Sequence, residues 1–196
     1  PRYKTAFVNP FTDVPTVDLL CSFFDREGEP FESSPQYILH KAHTQFKEVT
    51  GLTMEAMGEL EYYIIADDEE MYATPDQKGY HESAPFNKFA DLRNEAMRLI
   101  AQCGGLIKYG HSEVGNFSQE GKIYEQNEIE FQPTDIEDAA DQLVVAKWVM
   151  RQLAYQYGVT LTFAPKITVG KAGSGMHVHC KFSKNGQSMM TNNGEL

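Results

Sequence analysis

The sequence predicts an α+β fold: a curved, largely antiparallel β-sheet with helices on its outer face. Three observations carry this. Segments of period-two alternation and segments of helical periodicity follow one another as strand, helix, strand, helix, two strands, helix, strands. The two adjacent strands, near 106–114 and 122–131, are joined by a short connection, which makes them antiparallel. Asn185-Gly186, after the last alternating segment, is a strong hairpin signal. A sheet of this kind buries one face by gathering helices on it.

Composition narrows the function classes. With 196 residues the chain is long enough for one or two domains with a real core. No apolar run is long enough to span a bilayer. Seventeen basic against 28 acidic residues give a net charge of −11. That balance argues against binding to nucleic acid or an anionic membrane and is compatible with a site that gathers divalent cations. Cys21, Cys103 and Cys180 are scattered and odd in number, which points to a reduced, cytoplasmic compartment. The N-terminus lacks the apolar stretch of a signal peptide. The start at Pro1 and the stop at Leu196, inside a turn-like Asn-Asn-Gly-Glu stretch, read as a piece of a longer protein.

The elements follow in order. Two strands are expected around Thr5–Val8 and Val17–Phe24, the second apolar, aromatic and well buried. Asp25 to Pro30 is a turn by composition. Ser34-Pro35 reads as an N-cap and first helical position. The helix it opens runs to about Val49, with Leu39, Ala42, Phe46 and Val49 as its stripe and Gly51 as its stop. Glu59 to Ile65 is rich in aromatic and β-branched residues and reads as a strand. Residues 66–85, with the acidic run Asp67-Asp68-Glu69-Glu70, read as a solvated loop without chemistry. A helix over about Phe86–Cys103 buries Phe89, Leu92, Ala96, Leu99, Ile100 and Cys103. The strand Leu106–Val114 is followed by a loop, Gly115–Gly121, and the strand Lys122–Phe131. Thr134 and Glu137 form a capping box for a helix from about Ile136 to Tyr157. Its buried side is Leu143, Ala146, Val149, Met150 and Leu153, Trp148 packs nearby, and Gly158 stops it. A short strand near Thr160–Phe163 leads to a glycine-rich turn, Gly170 to Gly175. The last strand alternates His177, His179 and Lys181 on one face with Val178, Cys180 and Phe182 on the other.

Four strands thus offer acids or imidazoles at i, i+2 spacing: Glu59/Glu61, His111/Glu113, Gln126/Glu128/Glu130 and His177/His179. On a curved sheet these faces can converge. Carboxylates on one partly buried face repel, and one protonates unless a cation sits between them. Oxygen donors with one or two imidazoles suit magnesium or manganese better than zinc. Carboxylate-held magnesium beside a glycine-rich loop suggests a nucleotide phosphate as co-ligand, although no P-loop or Rossmann glycine pattern occurs. From residue types alone the reading is a divalent-metal, phosphoryl-transfer site. Polar strand faces turned to solvent fit the same pattern.

The motifs Glu59-Leu60-Glu61-Tyr62-Tyr63, His111-Ser112-Glu113-Val114, Gln126-Asn127-Glu128-Ile129 and Gly173-Ser174-Gly175-Met176-His177-Val178-His179, in that order, resemble the glutamine synthetase family of bacterial type. The likeness runs from about Thr12 to His179. It implies ATP-dependent ligation of ammonia to glutamate through a γ-glutamyl phosphate, in the service of nitrogen assimilation. It further implies that Glu61, Glu113 and Glu128 hold a metal beside glutamate and ammonia, with Glu61 and Glu128 catalytic. Glu59 and His177 would hold the Mg2+ or Mn2+ that bridges the ATP phosphates. The backbone at Gly173 would bind glutamate, and His179 would contact the nucleotide. The expected whole is a cytoplasmic, homo-oligomeric ring. Residues 1–196 would be part of its catalytic domain, without the N-terminal β-grasp domain and the later catalytic segment, and inactive alone. Ala172, Lys108 and Lys181 depart from the family pattern, and the connection from Glu113 to Gln126 is longer. Two relatives share the motifs: a ligase for another amine, such as a polyamine or ethanolamine, and a non-catalytic structural protein.

Overall fold

The computed structural model describes residues 1–69 and 71–191. A 3-10 turn (Tyr3–Thr5) and a ribbon of β1 (Phe7–Val8) and β2 (Val17–Asp18) precede α1 (Pro35–Thr50) and β3 (Thr53–Asp67). There follow α2 (Ala90–Gln102), β4 (Ile107–Gln119), β5 (Lys122–Phe131), β6 (Thr134–Asp135), α3 (Ile136–Gln156), β7 (Thr160–Thr162), β8 (Met176–Lys184) and β9 (Gln187–Ser188). The main sheet runs β4-β5-β3-β8-β9, with β6 and β7 also paired to β3, and every pairing among the described residues is antiparallel. The expected α+β class, with a curled antiparallel sheet and helices on one face, is what forms.

β3 is the axis of the sheet. On one side it pairs with β5 along 59–67 and with β6 at 55–56. On the other it pairs with β8 along 53–60 and β7 at 63–65. Its alternation sorts the faces: Leu60, Tyr62 and Ile64 enter the core, while Glu59, Glu61 and Tyr63 point the other way. The core joins those residues to Ile129 and Phe131 of β5, to Leu92, Ala96, Leu99 and Ile100 of α2, and to Val145, Ala146, Val149, Met150 and Leu153 of α3. Each large aliphatic or aromatic side chain buried there contributes about 1.5–3 kcal/mol against exposure. Trp148 packs as expected, under Phe7 and Phe11. Asn185 and Gly186 both take positive φ, +51° and +78°, and turn β8 into β9.

Several expectations are corrected. Of Val17–Phe24 only Val17–Asp18 is strand, and Phe23 and Phe24 are exposed, because nothing among the described residues covers them. On α1, Leu39 and Phe46 are half-buried, but Ala42 and Val49 are exposed and the buried residue is His43. Val178 and Cys180 are exposed on the outer face of β8. Helix α2 begins at Ala90 rather than Phe86. The amides of Lys88 and Phe89 instead donate to the buried Glu125 carboxylate, at 2.7 and 3.1 Å. Residues 115–119 are strand, not loop, and only a two-residue turn separates β4 from β5. The cap of α3 is Asp135, whose Oδ1 accepts from Glu137 N at 3.1 Å, while Thr134 is in β6. Glu70 of the acidic run and the Asn-Asn-Gly-Glu stretch at 192–195 lie outside the described residues.

Candidate metal centre

The face of the sheet turned away from the core gathers the predicted acids. In the β3–β5 ladder Glu59 lies opposite Glu130 and Glu61 opposite Glu128. Like charges facing across a ladder destabilise it. On the other side of β3, His177 lies opposite Glu59, with Nδ1 3.1 Å from Glu59 Oε2 and 3.6 Å from Glu61 Oε1. His179 Nε2 reaches Glu59 Oε1 at 2.9 Å. Donor atoms of Glu59, Glu128 and His177 lie within 4.8 Å of one another, and so do those of His111, Glu113 and Glu128. Glu128 belongs to both groups and links Glu59, Glu113 and His177, while Glu61, in neither group, joins them through its 3.6 Å approach to His177 and its place opposite Glu128.

Local irregularities aim these side chains. β4 slips by two residues against β5 between Ser112 and Asn116, so residues 113–115 face Gln126 alone. This bulge carries Glu113 back over the site, with Oε1 3.6 Å from His111 Nδ1. Gly115 sits at the bulge because a Cβ there would lie 1.9 Å from Tyr63 Oη. The Gly-rich turn approaches from the other side. Gly175 N donates to Glu61 Oε2 at 3.0 Å, and Gln126 Nε2 donates to the same oxygen at 2.8 Å and to Gly173 O at 2.9 Å. Tyr63 Oη donates to Ala172 O at 2.8 Å. A Cβ on Gly175 would meet Glu61 Oε1 at 2.9 Å, so the turn can approach this closely only as glycine.

Electrostatics single out Glu128. Its side chain is nearly buried. Desolvation, then the hydrogen bond and charge of Glu113, then the charges of Glu61 and Glu59, push its pKa up to about 8. Without a cation this carboxyl keeps its proton near neutrality. Glu130 takes the other course. Lys108 Nζ bonds Glu130 Oε2 at 2.8 Å, and that partner with Tyr109 holds its carboxyl low against the opposing effect of burial. An oxygen-rich set of facing acids, one of them forced to hold a proton, fits a magnesium- or manganese-type ion.

Sequence reading missed the roof of the site. The 66–85 segment is not a free loop: Gln77 N, Gly79 N and His81 N donate to Asn116 O, Val114 O and Ser112 O. Its His81 ring stacks on His111 at 4.4 Å, and Tyr80 meets the same ring edge-on at 5.5 Å. Tyr109 stacks on His111 at 5.5 Å. Only the alternation at His111 hinted at this cluster. The departures noted in the sequence also find partners, since Lys181 pairs with Glu55 at 3.0 Å.

The profile of the family described as "Glutamine synthetase, catalytic domain" matches residues 32–196. The chain belongs to the glutamine synthetase family. It is 33% identical to a glutamine synthetase of Clostridium saccharobutylicum over 173 residues, 87% of this chain and 37% of the relative. It is also 30% identical to a 3-hydroxylaminophenol mutase of Cupriavidus pinatubonensis, over 99% of this chain and 46% of the relative. The family therefore holds more than one chemistry. The chain spans about two-fifths of the length of these curated relatives. Among solved structures, Plasmodium falciparum glutamine synthetase superposes with a TM-score of 0.83 at 18% identity, over 96% of this chain and 42% of that one. That likeness shows the fold. No described helix is long and apolar enough to cross a membrane.

Proposed function

We propose that this chain supplies the metal-binding, phosphoryl-transfer face of a ligase that uses ATP to join ammonia to glutamate. The observation that carries the reading is the convergence of Glu59, Glu61, Glu113, Glu128 and His177 on one sheet face, where Glu61 and Glu128 oppose each other without a lysine or arginine ion pair of their own among the described residues. Glu61, Glu113 and Glu128 would hold an ion on the glutamate and ammonia side. Glu59 and His177 would hold an ion on the phosphate side. Magnesium or manganese, when bound, neutralises the phosphoryl group in transfer and polarises it. The chain's own residues fix where that occurs. Gly175 N–H and Gln126 anchor one oxygen of Glu61 and leave Oε1 toward the cluster. Gly173 stands at the turn where the backbone receives glutamate, and His179 stands at the outer end of the row, toward the nucleotide. As a ligand to such an ion Glu128 would serve as the carboxylate rather than the protonated acid. The assembled enzyme is a cytoplasmic homo-oligomeric ring.

A second reading keeps the phosphorylation step and changes the amine to a polyamine or ethanolamine. The ring cluster of Tyr80, His81, His111 and Tyr109 favours it, because it borders Glu113 with flat surfaces that a larger amine could contact. The test follows phosphate release from ATP by the full-length protein, with magnesium and glutamate, against ammonia and an amine panel. Turnover that requires ammonia supports the first reading, and turnover with another amine alone replaces it with the second. No turnover with any amine and no manganese binding defeats both and points to a structural relative.

A further inference from the structure

A second cluster, away from the acid face, mixes imidazole with carboxylate. It lies between α1, which carries His40 and His43, and the start of α3, where Asp135 and Glu137 stand. The His43 side chain is 1% exposed. Its Nδ1 is 3.2 Å from Glu137 Oε1 and 3.6 Å from Asp135 Oδ1, and donor atoms of the three residues all lie within 4.8 Å of one another. His40 Nδ1 reaches Glu137 Oε2 at 3.1 Å and is half exposed, so it is free to turn. His43 Nε2 is buried without a hydrogen-bond partner among the described residues. The ring is therefore held by what faces Nδ1.

Spacing and donor chemistry agree on an occupant. A tetrahedral ion with bonds of about 2.0–2.1 Å sets its ligand atoms roughly 3.3 Å apart, close to the separations found here. Two imidazoles with carboxylates suit zinc, in contrast to the oxygen-rich set on the sheet face. We propose that His43, Asp135 and Glu137, completed by His40, form a zinc-type site that clasps α1 to the start of α3. Lys47 Nζ, 3.3 Å from Asp135 Oδ2, is the built-in competitor for the ion. Asp135 Oδ1 also receives Glu137 N–H, so the site is fixed to the helix end rather than to a loop. The proposal does not depend on the ligase reading.

The test titrates the purified protein with cobalt(II), whose visible absorption distinguishes tetrahedral from octahedral sites, and then displaces it with zinc(II). One tetrahedral cobalt per chain is expected. It should persist in Glu61→Gln, be lost in His43→Gln, weaken roughly tenfold in His40→Gln, and strengthen in Lys47→Met. Where circular dichroism shows His43→Gln unfolded, Glu137→Gln and His40→Gln decide. Zinc should also raise the melting temperature with its concentration. Absence of a tetrahedral spectrum overturns the proposal. So does a signal that disappears with Glu61→Gln, or one untouched by the His40, His43 and Glu137 variants. The last of these outcomes leaves the cluster as an ion-pair clasp.

Discussion

Glu128→Gln should stabilise the metal-free protein at high pH and cost it most of its response to metal. Glu128 lies directly across the ladder from Glu61. Opposed Cβ atoms are roughly 5 Å apart, and two unit charges at that distance repel by about 3 kcal/mol at an effective dielectric of about 20. The wild-type protein avoids this repulsion by keeping Glu128 protonated, with a folded-state pKa near 8 against an ordinary 4.5. A carboxyl raised in the folded state stabilises relative to the unfolded chain only at low pH, and that contribution is lost as pH climbs from 4.5 through 8. Glutamine stays neutral and avoids the loss. At pH 4, below both values, the variant should match wild type. At pH 9, above both, it should be about 3–5 kcal/mol more stable, which is roughly 6–20 °C in melting temperature for a chain of this size. Saturating magnesium should narrow the variant's lead, because a tenfold loss of affinity removes about 1.4 kcal/mol of metal stabilisation. The assay is scanning calorimetry at both pH values, with chelator and with magnesium. A variant less stable than wild type at pH 9 without metal, or one with an undiminished magnesium shift, would refute the electrostatic reasoning.

Metal affinity of the wild type should rise by up to about tenfold per pH unit as pH approaches 8 and flatten above it, since binding must displace the Glu128 proton; isothermal titration in buffers of different ionisation enthalpy counts that proton. Glu125→Ala should destabilise by about 3–5 kcal/mol, because it strips a buried acceptor from Asn87, Lys88 N, Phe89 N and Asn127 and leaves buried Arg93 without its anion; urea denaturation measures it, and a loss below 1 kcal/mol would show the network to be dispensable. Gly115→Ala should cost about 1–3 kcal/mol by overpacking against Tyr63, with a matching fall in metal affinity as the bulge moves Glu113; normal affinity in a destabilised variant would detach the bulge from the site.

The parts legible in the sequence were those encoded by local period. β5 forms over the residues its alternation marks, 122–131, and α3 starts where its pattern does. The row of Glu59, Glu61, Glu113, Glu128 and His177 was visible because period two fixes which side chains share a face. What escaped depends on partners distant in sequence. Glu125 and Asn127 alternate with the site residues and so enter the helix face, where Asn87, Arg93 and the amides of Lys88 and Phe89, more than 30 residues away, make their burial tolerable. The bulge at 113–115 has no signature beyond a glycine, so a strand edge read as a loop. The 75–82 segment looked solvated because its docking is through backbone amides, which composition does not report. The apolar alternation of β8 gave a face but not a cover, and Val178 remains exposed.

The central position of β3 also bears on the order of assembly during synthesis. β3, β4 and β5 are complete well before β8 is made, and Glu59 meets His177 across a separation of 118 residues. A nascent sheet of the first three strands already holds Glu59, Glu61, Glu113, Glu128 and Glu130 on one face, with neither His177 nor the amide of Gly175 to answer them. Closing so long a loop is entropically slow. The acid row is therefore compensated in two stages, by Lys108 and Gln126 from within the first three strands and by His177 and the Gly175 amide only when the last strand docks.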